Sequence, residues 1–381
     1  MVQNILRATF RSERYAAIVL AIAAVLGLVI ANSSLGPDVI AFFHLHFSPG
    51  LAQIDLSYAH WVTDGLLAIF FFIVAVELRQ EFTVGELNSP SKALAPAAAA
   101  LGGVLVPALI YFTIAGSSQP QGWPIPTATD IAFALGLIAL LGKNLPRRIR
   151  VFLMALAVLD DLVAILIIAI GFTSNVQIGA LVLAAICLLF LWQAAKPNKF
   201  PGMRLILLIV LSVMTWTFVL ISGVHPTIAG VAIGLVLAPE LAQKAAHALM
   251  PWSNAVILPL FAFVSALVVF PQVHLYDLDL AFWAIVIALP VGKLLGITLA
   301  GSIVARFTPK GAGIRGWDLV VVAAVAGIGF TVSLLMNELA FDDNPALRDQ
   351  GVLAVLTGSA ISIVIGGLLV AWRARRAGIR S

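Results

Sequence analysis

Charge is scarce in this chain. Asp, Glu, Lys and Arg make up 10% of its 381 residues, and apolar residues make up 61%. A soluble domain carries about a quarter charged residues, so that class is excluded. One cysteine, Cys187, excludes an intrachain disulfide and leaves the redox compartment undefined. Period-two alternation is missing from the apolar runs, most of which continue for about 18 residues or more, and this excludes a β-barrel. Low-complexity tracts, Ser/Gly linkers and domain-sized polar extensions are absent as well. What remains is an all-α polytopic membrane protein, read as one transmembrane domain over residues 1–381.

Twelve apolar stretches are present, at about 15–32, 59–82, 93–116, 124–142, 148–172, 177–195, 203–220, 223–238, 253–270, 281–305, 317–341 and 350–372. Sorting the 22 Lys and Arg by the loops between them places 20 on one side. Arg7, Arg11 and Arg14 precede the first stretch. Arg79 and Lys92 follow the second, Lys143, Arg147, Arg148 and Arg150 the fourth, and Lys196, Lys199 and Arg204 the sixth. Lys244 follows the eighth, Arg306, Lys310 and Arg315 the tenth, and Arg373, Arg375, Arg376 and Arg380 the twelfth. Arg348 alone falls opposite, and Lys293 lies inside a stretch. Basic loops stay cytoplasmic, so twelve spans and two cytoplasmic termini are expected. The basic surplus then follows from topology, and no nucleic-acid partner is needed to explain it.

A basic segment before the first stretch is also what a signal peptide has. The run is long enough to span, however, and no small-x-small cleavage site follows, so it is read as a span. The longest outer loop, 33–58, has a turn signal at Ser48-Pro49-Gly50 and suits either a short hairpin or an irregular interfacial loop.

Two stretches break the rules for a span. The fourth begins Trp-Pro-Ile-Pro-Thr-Ala-Thr-Asp, placing Pro124, Pro126, Thr127, Thr129 and Asp130 where Leu and Val would be expected. The eleventh carries Gly327, Gly329, Thr331 and Ser333 near its centre. Irregular backbone at membrane depth is tolerated only where protein or a water-filled cavity satisfies it. One interrupted helix in each half points to a secondary transporter built from inverted repeats. The competing explanation is that Gly327 and Gly329 merely allow close helix packing.

The charged residues well inside the stretches are Asp64, Glu77, Asp130, Asp160, Asp161 and Lys293. A charge at the bilayer centre costs roughly 2.5–3.5 kcal/mol on insertion scales, and adjacent carboxylates repel each other besides. Such a pair persists only against water, a cation or protein partners. Asp160 and Asp161 lie about 100° apart around a helix, so one can reach Lys293 while the other faces a cavity. Hard carboxylate, hydroxyl and carbonyl oxygens suit Na⁺ or Li⁺, and no Cys or His cluster points to a transition metal. A carboxylate binds sodium only when deprotonated, so protons and Na⁺ compete for one site. Asp64 reads as a structural hydrogen-bonder. Glu77 and Glu81 sit near a cytoplasmic end, and His44, His46, His60 and His274 read as interfacial.

The motifs Ala128-Thr-Asp-Ile-Ala-Phe-Ala-Leu-Gly136, Phe152-Leu-Met-Ala-Leu-Ala157 leading to Asp160-Asp161-Leu162, Ser222-Gly-Val-His225, Gly292-Lys293-Leu-Leu-Gly-Ile297 and Gly327-Ile-Gly-Phe-Thr331 resemble the Na⁺/H⁺ antiporter A (NhaA) family. The resemblance covers nearly the whole chain. It implies twelve helices, with spans four and eleven unwound and crossing near the midplane, where Asp130 and Lys293 compensate the helix ends. It also implies Asp161 as principal Na⁺ ligand, helped by Asp160 and Thr129, with Asp160 paired to Lys293 when no ion is bound. Exchange of Na⁺ or Li⁺ for H⁺ would be electrogenic, pH-regulated and without a resident cofactor. A homodimer in the bacterial inner membrane, joined partly through an outer hairpin, is implied too. Glu77, Arg79, Glu81 and His247 resemble a cytoplasmic pH-sensing cluster. Gln80, Ala246 and Met250 depart from it, since ionisable residues often stand there.

Two other functions use buried acids. A sodium-coupled symporter of an organic anion would want a larger polar cavity, and carboxylates repel anions. An intramembrane aspartyl protease takes its two acids from separate helices, whereas Asp160 and Asp161 are adjacent and badly aimed at one peptide bond. The chain reads as a transporter and not an enzyme.

Overall fold

The computed structural model describes residues 13–48, 50, 54–85, 87–173, 176–196, 201–270, 277–307 and 314–378. Arg7, Arg11, Lys199, Lys310, Arg380, His274 and the Pro49 turn residue lie outside the described residues. In chain order the helices are α1 Glu13–Ala31, α2 Gly36–His44, α3 Tyr58–Thr83, α4 Pro90–Ala115, α5 Ile131–Leu141, α6 Arg147–Gly171 and α7 Ile178–Ala194. They continue with α8 Pro201–Ile221, α9 Thr227–Val236, α10 Pro239–Ser265, α11 Leu280–Phe307, α12 Trp317–Ala326, α13 Phe330–Ala340 and α14 Pro345–Gly378.

Among the described residues, eight helical segments are long and apolar enough to cross a membrane (α3, α4, Pro120–Leu141 ending in α5, α6, α8, α10, α11 and α14), or up to ten if each of two bent pairs is one span. The bent pairs are α1 with α2, at 110°, and α12 with α13, at 46°. α7 and α9 are apolar but shorter. The chain is therefore a polytopic, helical membrane protein.

Several boundaries differ from those expected. The ninth apolar stretch begins at 253, yet α10 begins at Pro239. Its first turns carry Glu240, Lys244 and His247, which lower the hydropathy without disturbing the helix. Segment 33–58 contains the antiparallel pairing expected of a short hairpin, with a helix before it that the sequence reading did not include. Pro37 and Asp38 open α2, where a proline in the first turn and an acid near the amide ends favour initiation. A two-residue antiparallel ladder follows, pairing His46 with Ser57 and Phe47 with Leu56. Ser57 then caps α3, its Oγ accepting the amide of His60 at 3.2 Å.

The described residues fall into two compact units. The first comprises Ala23–Gln80 and Ile165–Leu267. Its core joins Phe72, Ile73 and Val76 of α3 to Leu191 of α7, Leu211 of α8 and Leu237 after α9. Arg79 ends this contact. Its Nη1 donates to the carbonyls of Leu235, at 3.1 Å, and Leu237, at 2.6 Å, supplying cationic donors where α9 leaves its last carbonyls unpaired.

The second unit comprises 13–22, Glu81–Ala164 and 268–378. In it α4 and α11 cross at Gly102 and Gly296. A Cβ on either residue would collide with the carbonyl oxygen of the other, so only glycine permits this approach. Lys293 lies one turn before the crossing, at the exit of a widened helical turn over Ala288–Gly292. Its side chain is fully buried.

Candidate functional site

The polar centre of the second unit is assembled where two segments stop being helical. Pro124 and Pro126 lack amide donors, and residues Ile125–Thr127 form one tight 3₁₀ turn. Ala128 and Asp130 are then extended, with ψ of 158° and 105°, before α5 begins. In the other segment α12 ends at Ala326 and α13 starts at Phe330. The carbonyls and amides left over pair across the two breaks. The Asp130 amide donates to Ile328 O at 2.7 Å, and Ser333 Oγ donates to Ile125 O at 2.7 Å. Unpaired backbone would be costly at this depth, and these crossings remove much of that cost.

Asp130 caps two helices at once. Its Oδ1 accepts the Phe133 amide at 3.0 Å, which starts α5. Its Oδ2 accepts the Thr331 amide at 3.1 Å and the Thr331 hydroxyl at 2.6 Å, which starts α13. A carboxylate between two helix N-termini complements both dipoles. Ser359 of α14 assists by accepting the Phe330 amide at 3.2 Å.

Asp160 and Asp161 stand on α6, and both are buried. Lys293 Nζ donates to Asp160 Oδ2 at 2.7 Å, with both side chains fully enclosed. Thr129 Oγ1 lies 2.7 Å from the same Oδ2 and 2.9 Å from Ala326 O. One hydroxyl proton cannot serve both acceptors, so Thr129 can turn between the Asp160 carboxylate and the end of α12. Asp160 Oδ1 has no hydrogen-bond partner among the described residues. Native proteins rarely bury a carboxylate oxygen unsatisfied, and a missing ligand is one standard explanation. Among the described residues no three His, Cys, Asp or Glu gather as a metal cluster. The oxygens brought together at the break are the Asp160 carboxylate, the Thr129 hydroxyl and the Ala326 carbonyl, all hard oxygens suited to an alkali cation, and Asp161 is buried next to Asp160 on α6.

The glycines of the eleventh stretch face the same break. A Cβ at Gly327 would stand 2.8 Å from Ser362 Oγ, and one at Gly329 would collide with Ser333. Gly327 and Gly329 lie between α12 and α13, and Pro126 lies in the 3₁₀ turn before the extended residues.

The remaining candidates have other surroundings. Arg79 caps α9 as described. His247 is exposed on α10, with Nδ1 2.8 Å from the Gln243 carbonyl of its own helix. Glu77 and Glu81 are both partly exposed on α3. In the first unit Asp64 stands 3.5 Å from His225 Nε2, and His225 Nδ1 stands 2.7 Å from Thr227 Oγ1. Asp64 therefore has partners of its own.

One buried acid escaped the sequence reading. Asp318, at the start of α12, is 2% exposed and accepts from Arg148 Nη2 at 2.6 Å and Arg373 Nε at 2.7 Å. An acid at the head of a span reads as solvated, and membrane topology by itself accounts for the two arginines. No sequence signal joined them.

Apolar helices around a buried carboxylate–ammonium pair, beside two non-helical stretches, have the makings of an ion-handling membrane protein. A profile of the family described as Na⁺/H⁺ antiporter 1 matches residues 7–370, and the chain belongs to that family. It is 51% identical over 376 residues to Na(+)/H(+) antiporter NhaA 2 of Clavibacter michiganensis subsp. michiganensis (strain NCPPB 382), covering 96% of this chain and 92% of that protein. It is 44% identical over 367 residues to the NhaA of Tropheryma whipplei (strain Twist), covering 94% of each. Against the NhaA of Streptomyces avermitilis identity is 41% over 387 residues, covering 97% and 82%.

Proposed function

We propose that this protein is a secondary active transporter exchanging cytoplasmic Na⁺ or Li⁺ for external protons, with both ions competing for Asp160 and Asp161. The observation that carries the proposal is the divided state of Asp160. One oxygen is held by Lys293 and Thr129, and the other is buried without a hydrogen bond. Proton loss from the carboxylates makes room for a cation, which takes over part of the charge that Lys293 balances in its absence. Lys293 is then released to give up a proton or to move. Asp161 is the principal cation ligand, Asp160 and Thr129 assist, and Asp130 keeps the half-helices aligned without leaving its caps.

The full architecture belongs to the same reading. Counting α7, α9 and the two bent pairs with the eight long helices gives twelve spans, with the fourth and eleventh interrupted, in an inverted-repeat antiporter fold. The whole chain is one transmembrane domain. Both termini are cytoplasmic, the membrane is the bacterial inner membrane and the protein is a homodimer. Transport is electrogenic, proceeds by alternating access and is regulated by pH through Glu77, Arg79, Glu81 and His247, in the service of pH homeostasis. Na⁺ or Li⁺ and H⁺ are cargo, and no resident cofactor takes part.

The test is Na⁺-driven dequenching of a pH dye in proteoliposomes carrying an imposed pH gradient. The wild-type protein dequenches the dye, and Asp160→Asn and Asp161→Asn abolish the signal while still inserting and purifying as folded protein. Exchange retained in both variants would refute the site assignment.

A further inference from the structure

The Asp318 carboxylate is the least explained buried charge in the second unit. It is 3% exposed in its side chain, against 58% for Arg148 and 19% for Arg373. One guanidinium binds each of its oxygens. Burying a carboxylate is expensive, and an ion pair often only offsets that cost, so its presence here calls for a role beyond stability. Its three residues begin α12, begin α6 and end α14. Around it Trp317 meets Trp372 edge-on at 4.9 Å, and Arg376 lies 4.3 Å over the Trp372 ring. This end of α12 is therefore tied down by charge and by aromatic packing together.

The geometry closes a frame. α6 rises 12 residues, about 18 Å, from Arg148 to Asp160, and α12 rises eight residues, about 12 Å, from Asp318 to Ala326. At the far end the Thr129 hydroxyl lies within donating reach of Asp160 Oδ2, at 2.7 Å, and of Ala326 O, at 2.9 Å. The two helices are thus tied by the Arg148–Asp318 ion pair at one end and share a single hydroxyl donor at the other. α12 is buried from Asp318 to Ala326 apart from Val320, so it is held as one packed rod, and a shift at its start carries to the Ala326 carbonyl at its end. We propose that Asp318 is a positioning residue for exchange: by pinning α12 to α6 and α14 it sets the Ala326 carbonyl, and through Thr129 the Asp160 carboxylate, at the spacing that the cation requires.

The inference rests on the exchange reading above, and its test separates the two. Full-length protein is reconstituted, its folded fraction is measured by size-exclusion profile and thermal melting, and proton movement is titrated with Na⁺. Asp318→Asn raises the half-saturating Na⁺ concentration about tenfold, because small displacements in a preorganised site weaken binding steeply. Asp318→Glu recovers most of that loss. Arg148→Gln combined with Arg373→Gln reproduces the Asp318→Asn effect. A purely structural acid would lower the amount of folded protein and the maximal rate but leave half-saturation where it was. That result in Asp318→Asn overturns the proposal. If Asp318→Asn does not fold, the same unchanged half-saturation in Arg148→Gln, which breaks the tie between α12 and α6, overturns it. Failure of the wild-type protein to move protons would instead overturn the exchange reading.

Discussion

Asp160 Oδ2 takes two donors while Asp160 Oδ1 takes none. This asymmetry makes separate predictions for the two partners. Thr129→Val keeps the shape of the side chain and removes the hydroxyl. Ala326 O and Asp160 Oδ2 lose the one donor they share, worth about 1.5–3 kcal/mol when it serves the charged group, and half-saturating Na⁺ should rise about tenfold with the maximal rate nearly preserved. Titration of dye dequenching against Na⁺ measures both quantities. Lys293 predicts a different outcome. Removing one partner of a buried ion pair costs about 3–5 kcal/mol, so Lys293→Ala should melt well below wild type at neutral pH. If the ammonium also carries a proton in the cycle, the same variant exchanges electroneutrally. A membrane-potential dye then shows no charge movement while the pH dye still responds. Charge movement equal to wild type would leave Lys293 a structural counter-ion.

At the scale of elements, the joint between α5 and α13 depends on one carboxylate. Asp130→Ala leaves the Phe133 and Thr331 amides without their caps, and each lost cap costs about 1 kcal/mol or more. Asp130→Asn turns one acceptor into a donor facing the Thr331 amide and hydroxyl, or facing the Phe133 amide if flipped. Both variants should melt below wild type, with the alanine variant retaining no preference for Thr331. Thr331→Val should then cost less in the Asp130→Ala background than in wild type, a non-additivity that a double-mutant cycle reads from thermal melts. The 3₁₀ turn at Ile125–Thr127 and the bend between α12 and α13 coincide with residues that favour them. Pro124 and Pro126 remove amides, and Thr129, Asp130, Thr331 and Ser333 are the polar residues that could replace them. Asp160 and Asp161 stood out because apolar neighbours on both sides gave them no solvent. Other elements lacked such contrast. α2 is a short helix whose apolar content resembles a loop at an interface, and the first turns of α10 are polar enough to hide a helix. Asp318 was illegible for a related reason: its partners lie 170 and 55 residues away. A charge at the head of a span is ordinary until its neighbours are known. The mutual fit of Gly102 and Gly296 is likewise a fact of helix register, which a single sequence does not contain.

At the scale of the whole molecule, the proposed competition between protons and cation fixes the sign of the pH dependence. Cation binding requires the carboxylates deprotonated, so each proton displaced per cation steepens the dependence of affinity on pH. Below the pH at which the site loses its protons, the half-saturating Na⁺ concentration should fall about tenfold per pH unit for one proton displaced and about a hundredfold for two. Above that pH the dependence flattens. Asp160→Asn and Asp161→Asn each remove one competitor, so residual Na⁺ binding measured by calorimetry should have a shallower slope in either variant. The pH-sensing assignment makes an independent demand. His247→Ala and Glu77→Gln should shift the pH at which maximal rate appears while leaving the slope of half-saturation against pH unchanged, because activation and competition then reside in different residues. A change in slope without a shift in activation would place pH control at the carboxylates themselves and remove any need for a separate sensor.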